Sequence, residues 1–310
     1  MLVVGNGLAM DQRQHTPALA AWNTQAPLSW NVPNPGRKGP LIDALPVVKE
    51  EIQELQAASP GLSDFEMFTR LADSFTHDAS PARSIAGIVE LRHLILQSFA
   101  LYTGHAEHHL ATVEWPWGSW ITANAPRLRS AVSFNYDLVL ESLLERYPGV
   151  QCGPFHYDPG AFVVVKPHGS VDYTERADII VNRPRYPLIA HIETSQAPLR
   201  LLPRGELRRP RHFADVVIPG EESKYSEFGW VRPGRAWARA QAKKSRYLVF
   251  LGLSYWPVDR RELDEISNAA DPSATVIVAN PYPDPLWLEK LRHRFSSVRV
   301  WTKGPEPLPS

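Results

Sequence analysis

The chain contains very little cysteine: Cys152 is the only one among 310 residues. A single cysteine excludes any disulfide within the chain, and it excludes a zinc module built from several thiolates. An excess of charge of one sign is lacking as well, because 33 Lys and Arg residues balance 33 Asp and Glu residues. A net charge of zero gives no general attraction to nucleic acid or to an anionic membrane, so neither partner is indicated.

Uninterrupted apolar runs are short, and we find none with the length that a membrane span needs. The strand-like segment 2–4 stands at the start without the charged and apolar regions of a signal peptide. We therefore expect a cytoplasmic protein with no membrane partner. Hydrophobic residues make up 44% of the chain, which is enough for a substantial core.

Short apolar segments alternate with segments of helical periodicity through most of the chain. The predicted strands are 2–4, 131–134, 162–165, 179–181, 216–218, 247–251, 275–279 and 298–301. The predicted helices are 41–58, 63–75 with a capping box at its start, 81–110, 112–126, 137–145, 230–243, 259–269 and 287–295. Residues 12–40 are expected to form a long loop or a broken helix, and residues 182–212 are expected to be irregular.

This alternation predicts an α/β fold, in which helices cover both faces of a Rossmann-like parallel sheet. The helical block 41–126 interrupts the alternation after the first strand. We interpret it as an inserted helical layer or small subdomain within a single domain that spans 1–310.

Small or polar residues follow five of the predicted strands, where open α/β sheets bind their ligands. They are Gly5-Asn6-Gly7, Asn135-Tyr136-Asp137, His168-Gly169-Ser170, Gly252-Leu253-Ser254 and Asn280. The strand bodies before them are apolar, so the coincidence predicts a ligand site more strongly than any one motif does.

The pair Gly5-x-Gly7 would allow backbone amides to approach a pyrophosphate at the start of a helix. The third glycine of the Rossmann fingerprint is missing, and no acidic residue ends a second strand soon after it. These absences argue against a dehydrogenase that transfers hydride. The simpler interpretation of the glycine pair is a tight turn.

His168 is a candidate general base, because the pKa of an imidazole lies near neutral pH. It can equally be a structural histidine. Asn135 can hydrogen-bond a ribose hydroxyl or a water molecule, and it can also act as a helix N-cap. Asp137 suits the first turn of a helix, where the helix dipole favours an acid.

Three other groups have simpler interpretations than a site. His105, His108 and His109 lack an acidic residue at metal-ligand spacing, which favours a solvated or partner-facing helix over a metal site. The basic run 200–211 can contact phosphates, nucleic acid or a partner, but a solvated loop is the simpler interpretation. The tryptophans of 115–120 are interpreted as core or interface residues.

The ordered motifs GNG, SDFE, SFNYD, KPHGS, IPGEESKY, LGLSYWPVD and VANP resemble the bacterial sirtuin-like proteins. These are relatives of the protein deacylases that occur in antiphage defence systems. FNYD and HGS are the most specific of the motifs. GNG and FNY also resemble the AbiH-type abortive-infection proteins, which are more distant kin.

The resemblance implies that Asn135 orients the nicotinamide ribose and the attacking water, and that His168 is the catalytic histidine. It implies an Asp137 close to the carboxamide of NAD. The other implied NAD-binding residues are Gly5, Asn6 and Gly7 at the pyrophosphate, Gly169 beside the histidine, Gly252 and Ser254 at a phosphate or ribose, and Asn280 near the adenosine ribose.

The activity implied is hydrolysis of NAD⁺, the substrate, to nicotinamide and ADP-ribose in antiphage defence, without zinc. Deacylating sirtuins carry a four-cysteine zinc module, so a single cysteine argues against lysine deacylation. Two alternatives remain: a non-catalytic module that binds NAD or ADP-ribose and signals to a partner, and an NAD-dependent deacylase or ADP-ribosyltransferase. No sensor segment is evident, so we expect control by homo-oligomerisation or by a separate sensor or effector protein.

Overall fold

The computed structural model describes residues 1–110, 113–145, 150–152, 162–175, 199–211, 213–220 and 228–308. The chain divides into two compact units, which are described separately. The first unit comprises Met1–Ala20, Glu107–Pro167 and Arg232–Ser310, and the second comprises Ala21–Ala106 and His168–Val231. The helical block that we interpret as an insertion, 41–126, contributes to both units.

The strands in the described part of the chain are β1 (Leu2–Val4), β2 (Ser130–Ser133), β3 (Val150–Cys152), β4 (Phe162–Val165), β5 (Tyr173–Glu175), β6 (Leu199–Leu201), β7 (Tyr247–Leu251), β8 (Thr275–Ala279) and β9 (Ser297–Trp301). Seven of them form one sheet in the order β3-β4-β2-β1-β7-β8-β9, and every neighbouring pair is parallel. β5 and β6 form a separate antiparallel pair.

The helices in the described part are α1 (Gly7–His15), α2 (Pro46–Ala58), α3 (Asp64–Thr76), α4 (Pro81–Leu110), α5 (Pro116–Asn124), α6 (Val139–Leu144), α7 (Val231–Lys244), α8 (Pro257–Ala269) and α9 (Pro285–Arg294). Helices flank the parallel sheet, which confirms the predicted α/β, Rossmann-like fold. Strands with both faces covered are apolar throughout, and Leu2, Val3 and Val4 are each fully buried.

Most of the predicted elements are confirmed, several of them to the residue. The predicted helix 41–58 begins later than expected. Residues 41–44 form a short 3₁₀ turn, and α2 begins at Pro46, because a proline is tolerated at the start of a helix, where its missing N–H has no partner to bond. The start of α3 is confirmed in detail. Ser63 Oγ accepts the N–H of Glu66 at 3.3 Å, and Glu66 Oε2 accepts the N–H of Ser63 at 2.8 Å.

The predicted strand 216–218 is wrong. Val216 makes only an isolated bridge with Gly169, although Val216, Val217 and Ile218 are all buried. The three consecutive apolar residues therefore mark a buried segment, but this segment does not pair as a strand of a sheet. The predicted strand 179–181, most of the loop 182–212 and part of the IPGEESKY motif lie outside the described residues.

Helix α4 is 30 residues long, and by length and composition alone it could cross a membrane, which we did not expect from the sequence. However, 78% of its most apolar 18-residue window is buried inside the structure. Such burial is typical of the core helix of a soluble protein.

One polar residue of α4 is tied to α2. The carboxylate of Glu90 accepts the N–H of Val48 at 2.9 Å, in the first turn of α2, where backbone amides have no partner within the helix. Glu90 thus caps a helix that lies 42 residues away in sequence. Burial raises the pKa of Glu90 to about 7, and the backbone hydrogen bonds only partly oppose this shift.

Glu90 should make the stability of the protein depend on pH. The folded state retains a proton on Glu90 up to about pH 7, whereas the unfolded chain loses it near its ordinary pKa of 4.5. Stability should therefore fall as the pH rises through this window and level off above it. Between pH 5 and 8, we expect the wild type to lose on the order of 2 kcal/mol relative to Glu90→Gln.

The measurement is urea-induced unfolding at several pH values. Glu54→Gln, on the exposed face of α2, is the matched control and should keep the pH dependence of the wild type. The same pH dependence in the wild type and in Glu90→Gln would contradict the expectation.

Candidate functional site

The carboxyl ends of β1, β2 and β7 lie side by side. The register pairs Val4 with Ser133 on one side and with Leu251 on the other. From β1, the sheet extends through β2, β4 and β3 in one direction and through β7, β8 and β9 in the other. β1 and β7 therefore form a topological switch point, where open α/β sheets leave a crevice for a ligand.

The turns that follow β1 and β7 touch each other through their backbones. The N–H of Gly5 is donated to the carbonyl of Leu251 at 3.0 Å, and the N–H of Gly7 to the carbonyl of Gly252 at 2.8 Å. A Cβ atom on Gly7 would lie 2.4 Å from Gly252 Cα. Gly252 also has a φ of +62°, a conformation that favours glycine.

These contacts qualify the predicted role of the glycine pair. The N–H groups of Gly5 and Gly7 are already donated to the protein, and the space beside them is filled by Gly252 and Leu253, so the missing side chains serve the contact between the two turns. Asn6 precedes α1 directly; its carbonyl accepts the N–H of Met10 at 3.0 Å, and its side chain does not cap the helix.

Asn135 lies just beyond β2, next to the glycine turn. The N–H of Phe134 is donated to the carbonyl of Val4 at 2.9 Å, and the N–H of Asn135 to Ser133 Oγ at 3.3 Å. Asn135 is only 8% exposed, and within the described residues its side-chain amide has no hydrogen bond. Polar groups in a protein interior are normally paired, and the amide atoms of Asn135 are not among the fully buried ones, so this amide is available for a ligand or a water molecule.

Asp137 is the residue that caps α6, and Asn135 is not. Asp137 Oδ1 accepts the N–H of Val139, the first residue of α6, at 3.0 Å. Its other oxygen, Oδ2, is buried and has no hydrogen-bond partner among the described residues. Burial raises the pKa of Asp137, and the positive charge of Lys166 opposes this shift. The residue thus caps a helix, while its second oxygen is withdrawn from solvent.

Lys166 and Glu141 form a buried ion pair beside this turn, and neither was a predicted site residue. Lys166 follows β4 directly, and its Nζ lies 2.9 Å from Glu141 Oε1 on α6. Nζ also donates a short hydrogen bond to the carbonyl of Asp137. The only signals in the sequence were a lysine directly after an apolar strand and a glutamate within the apolar pattern of a helix.

His168 and Gly169 begin the second unit. The carbonyl of His168 accepts the N–H of Val217 at 2.9 Å, and the side chain is half-buried. Gly169 has a φ of +80°, and a Cβ atom there would lie 2.1 Å from the carbonyl oxygen of Asp215. Glycine is therefore required at position 169, where the chain passes close to residues 215–216, and this requirement does not depend on any role of His168.

The remaining predicted residues lie after β7 and β8. Ser254 is exposed, and the structure gives its hydroxyl no hydrogen bond within the described part of the chain. Asn280 has a structural task. Its Nδ2 donates to the carbonyl of Leu253 at 2.7 Å, and its Oδ1 accepts the N–H of Tyr282 at 2.8 Å. Asn280 thereby holds the turn after β7 against β8.

The basic run 200–211 is not simply a solvated loop. Arg211 is buried, and its guanidinium donates to the carbonyls of Val171 at 2.6 Å and Tyr173 at 3.0 Å. The expectation is therefore wrong for Arg211, which holds backbone carbonyls together.

The histidines and tryptophans lie in ring contacts. His105 stacks on Trp22 with ring centroids 4.3 Å apart. Trp117 and Trp120 pack around Trp301 in the core of the first unit, as predicted for core residues. Among the described residues, no group of three or more His, Cys, Asp or Glu side chains could hold a metal ion.

No protein-family model matches the chain, and no curated protein matches it significantly in sequence. The likeness to sirtuin-like proteins therefore rests on the short motifs alone, and the family stays a prediction.

The glycine contact predicts that Gly7→Ala destabilises the protein. The new methyl group would meet backbone atoms of Gly252, which cannot move aside as a side chain can. We expect a loss of about 2 kcal/mol, measured by urea-induced unfolding. Gly104→Ala, on α4 with open space around the added methyl group, is the matched control and should be neutral or stabilising. A Gly7→Ala protein as stable as the wild type would contradict the expectation.

Proposed function

We propose that the protein is an NAD⁺ glycohydrolase, which cleaves the bond between nicotinamide and ribose to give nicotinamide and ADP-ribose. The observation that carries the proposal is the amide of Asn135, a largely buried residue beside the glycine turn at the switch point, which has no hydrogen bond within the described residues. A parallel sheet binds dinucleotides at such a crevice, and an unpaired amide there is suited to a ribose hydroxyl or a water.

Each residue has a defined task in the proposed reaction. The bond from nicotinamide to the ribose carbon breaks with its electron pair leaving on nicotinamide, so positive charge develops on the ribose. Asn135 holds the attacking water or a ribose hydroxyl, and the resemblance to sirtuin-like proteins assigns to His168 the task of accepting the proton that the water releases. Positioning and fixed dipoles supply most of the rate enhancement.

Asp137 serves binding in this proposal. Its Oδ1 is occupied by the helix amide, which fixes the carboxyl group close to the proposed carboxamide site, as the resemblance to sirtuin-like proteins implies. The pyrophosphate is proposed to lie at the start of α1, beside the turn that the contact of Gly5, Gly7 and Gly252 fixes.

The proposed setting is antiphage defence in the cytoplasm, where depletion of NAD would stop the infected cell. Such an activity has to be held off until infection. Homo-oligomerisation or a separate sensor or effector protein is the proposed means of control, in keeping with the motifs that resemble sirtuin-like defence proteins.

The proposal predicts nicotinamide and ADP-ribose as the products when the purified protein is incubated with NAD⁺ and followed by chromatography. Asn135→Ala and His168→Ala should each lower kcat by about 100-fold or more, because each removes a group that acts on the water. Asn268→Ala and His293→Ala, both exposed positions on α8 and α9, are the matched controls and should keep the wild-type rate.

Binding of intact NAD⁺ in a thermal-shift assay without turnover would leave two interpretations: a regulated enzyme without its activator, or a binding module that signals to a partner. Absence of both binding and turnover would remove NAD as the ligand.

A further inference from the structure

The ammonium group of Lys166 contacts the segment that carries Asn135 and the helix that follows it. Lys166 is 3% exposed, and its Nζ is 2.9 Å from Glu141 Oε1, which is equally buried. Nζ donates to the carbonyl of Asp137 and lies 3.5 Å from the carbonyl of Tyr136. One charged group thus contacts two consecutive carbonyls of the turn and the helix that follows it.

Stability alone does not account for this arrangement. Removing two charges from water is expensive, and replacing a buried ion pair by apolar side chains of similar volume is often neutral or stabilising. Apolar residues at both positions would therefore suit the core equally well. What such residues could not do is hold backbone carbonyls, and Lys166 holds those of Tyr136 and Asp137.

The turn between β2 and α6 is also held by the burial of residues 134–138 and by hydrogen bonds of Phe134 and Asp137, but none of these holds the carbonyl of Asp137 as the Lys166 ammonium group does. β2 ends at Ser133 and α6 begins at Val139, so residues 134–138 lie outside both elements. The N–H of Asn135 makes a long bond of 3.3 Å, and its amide side chain makes none within the described residues. The direction of that amide is therefore set by the backbone on either side of it.

We propose that Lys166 is a positioning residue, which holds the backbone of residues 135–137 so that the amide of Asn135 faces the reacting ribose. This inference rests on the proposed NAD⁺ hydrolase. Lys166 itself does not contact the substrate. Glu141 supplies the opposite charge that allows a buried ammonium at this place.

Loss of the Lys166 ammonium group has two expected consequences: a less stable fold and a less firmly held turn. Lys166→Met leaves the buried Glu141 without the positive charge of Lys166, which destabilises the fold. Lys166→Met together with Glu141→Met removes both charges of the ion pair and retains the side-chain volume, so we expect it to recover most of the stability that Lys166→Met loses; the remainder reflects Asp137, which Lys166 also faces. The turn, however, remains without its clamp in both variants.

The experiment compares the wild type, Lys166→Met and the double variant by urea-induced unfolding, NAD⁺ kinetics and amide hydrogen exchange. In the stable double variant, we expect kcat to be about 100-fold lower while KM stays within about threefold of the wild type. Exchange in peptides covering residues 133–140 should be about tenfold faster. The matched control is Arg235→Met with Glu265→Met, an ion pair between α7 and α8, which should change neither kcat nor exchange in that segment.

Recovery of kcat together with stability in the double variant would overturn the proposal, because Lys166 would then be structural only. Unchanged exchange in residues 133–140 would overturn it as well. If the wild type does not hydrolyse NAD⁺, the proposed function fails. Hydrogen exchange then tests the clamp by itself: faster exchange supports it, and unchanged exchange overturns it.

Discussion

The close contact between the turns after β1 and β7 fixes the crevice of this protein. At this place the two halves of the sheet diverge, and Gly7 and Gly252 allow their backbones to meet without a side chain between them. The start of α1 is thereby held against the end of β7. Every other candidate residue of the first unit lies on a strand end whose position is set by register from this contact.

Buried charge is the second constraint on the same edge of the sheet. Asp137, Glu141 and Lys166 are all withdrawn from water within one short stretch of structure. Charged groups are rarely buried unless they are paired, and one oxygen of Asp137 has no hydrogen-bond partner in the described part of the chain. The free-energy cost of burying these charged groups arises at the carboxyl edge of the sheet, which is where a ligand of an α/β sheet is expected to bind.

The strands and the positions of the candidate residues could be predicted because both follow from local pattern. Fully apolar segments such as 247–251 mark buried parallel strands, and polar residues directly after them fall on one edge. Tertiary pairing was not predictable. Nothing near Glu90 in sequence indicates that it caps α2, and nothing near Lys166 indicates Glu141 as its partner.

Individual roles were predicted less well than positions. Asn and Asp both cap helices, and only the structure shows that Asp137 caps α6, whereas the amide of Asn135 has no hydrogen bond within the described residues. Asn280 follows a strand as a ligand-binding residue would, yet both ends of its amide hold neighbouring backbone. The run 200–211 was predicted to be a solvated loop because it is rich in arginine, yet Arg211 in it is buried.

The central position of β1 has a consequence for synthesis on the ribosome. Leu2 pairs with Ala131 on one side but with Val249 on the other, so the middle strand of the sheet is made long before its second neighbour. Until β7 emerges, β1 presents an unpaired apolar edge, and such edges are open to mispairing with other chains. Folding of the first unit is therefore expected to be late in translation, and a chaperone that shields the early segment would raise the yield.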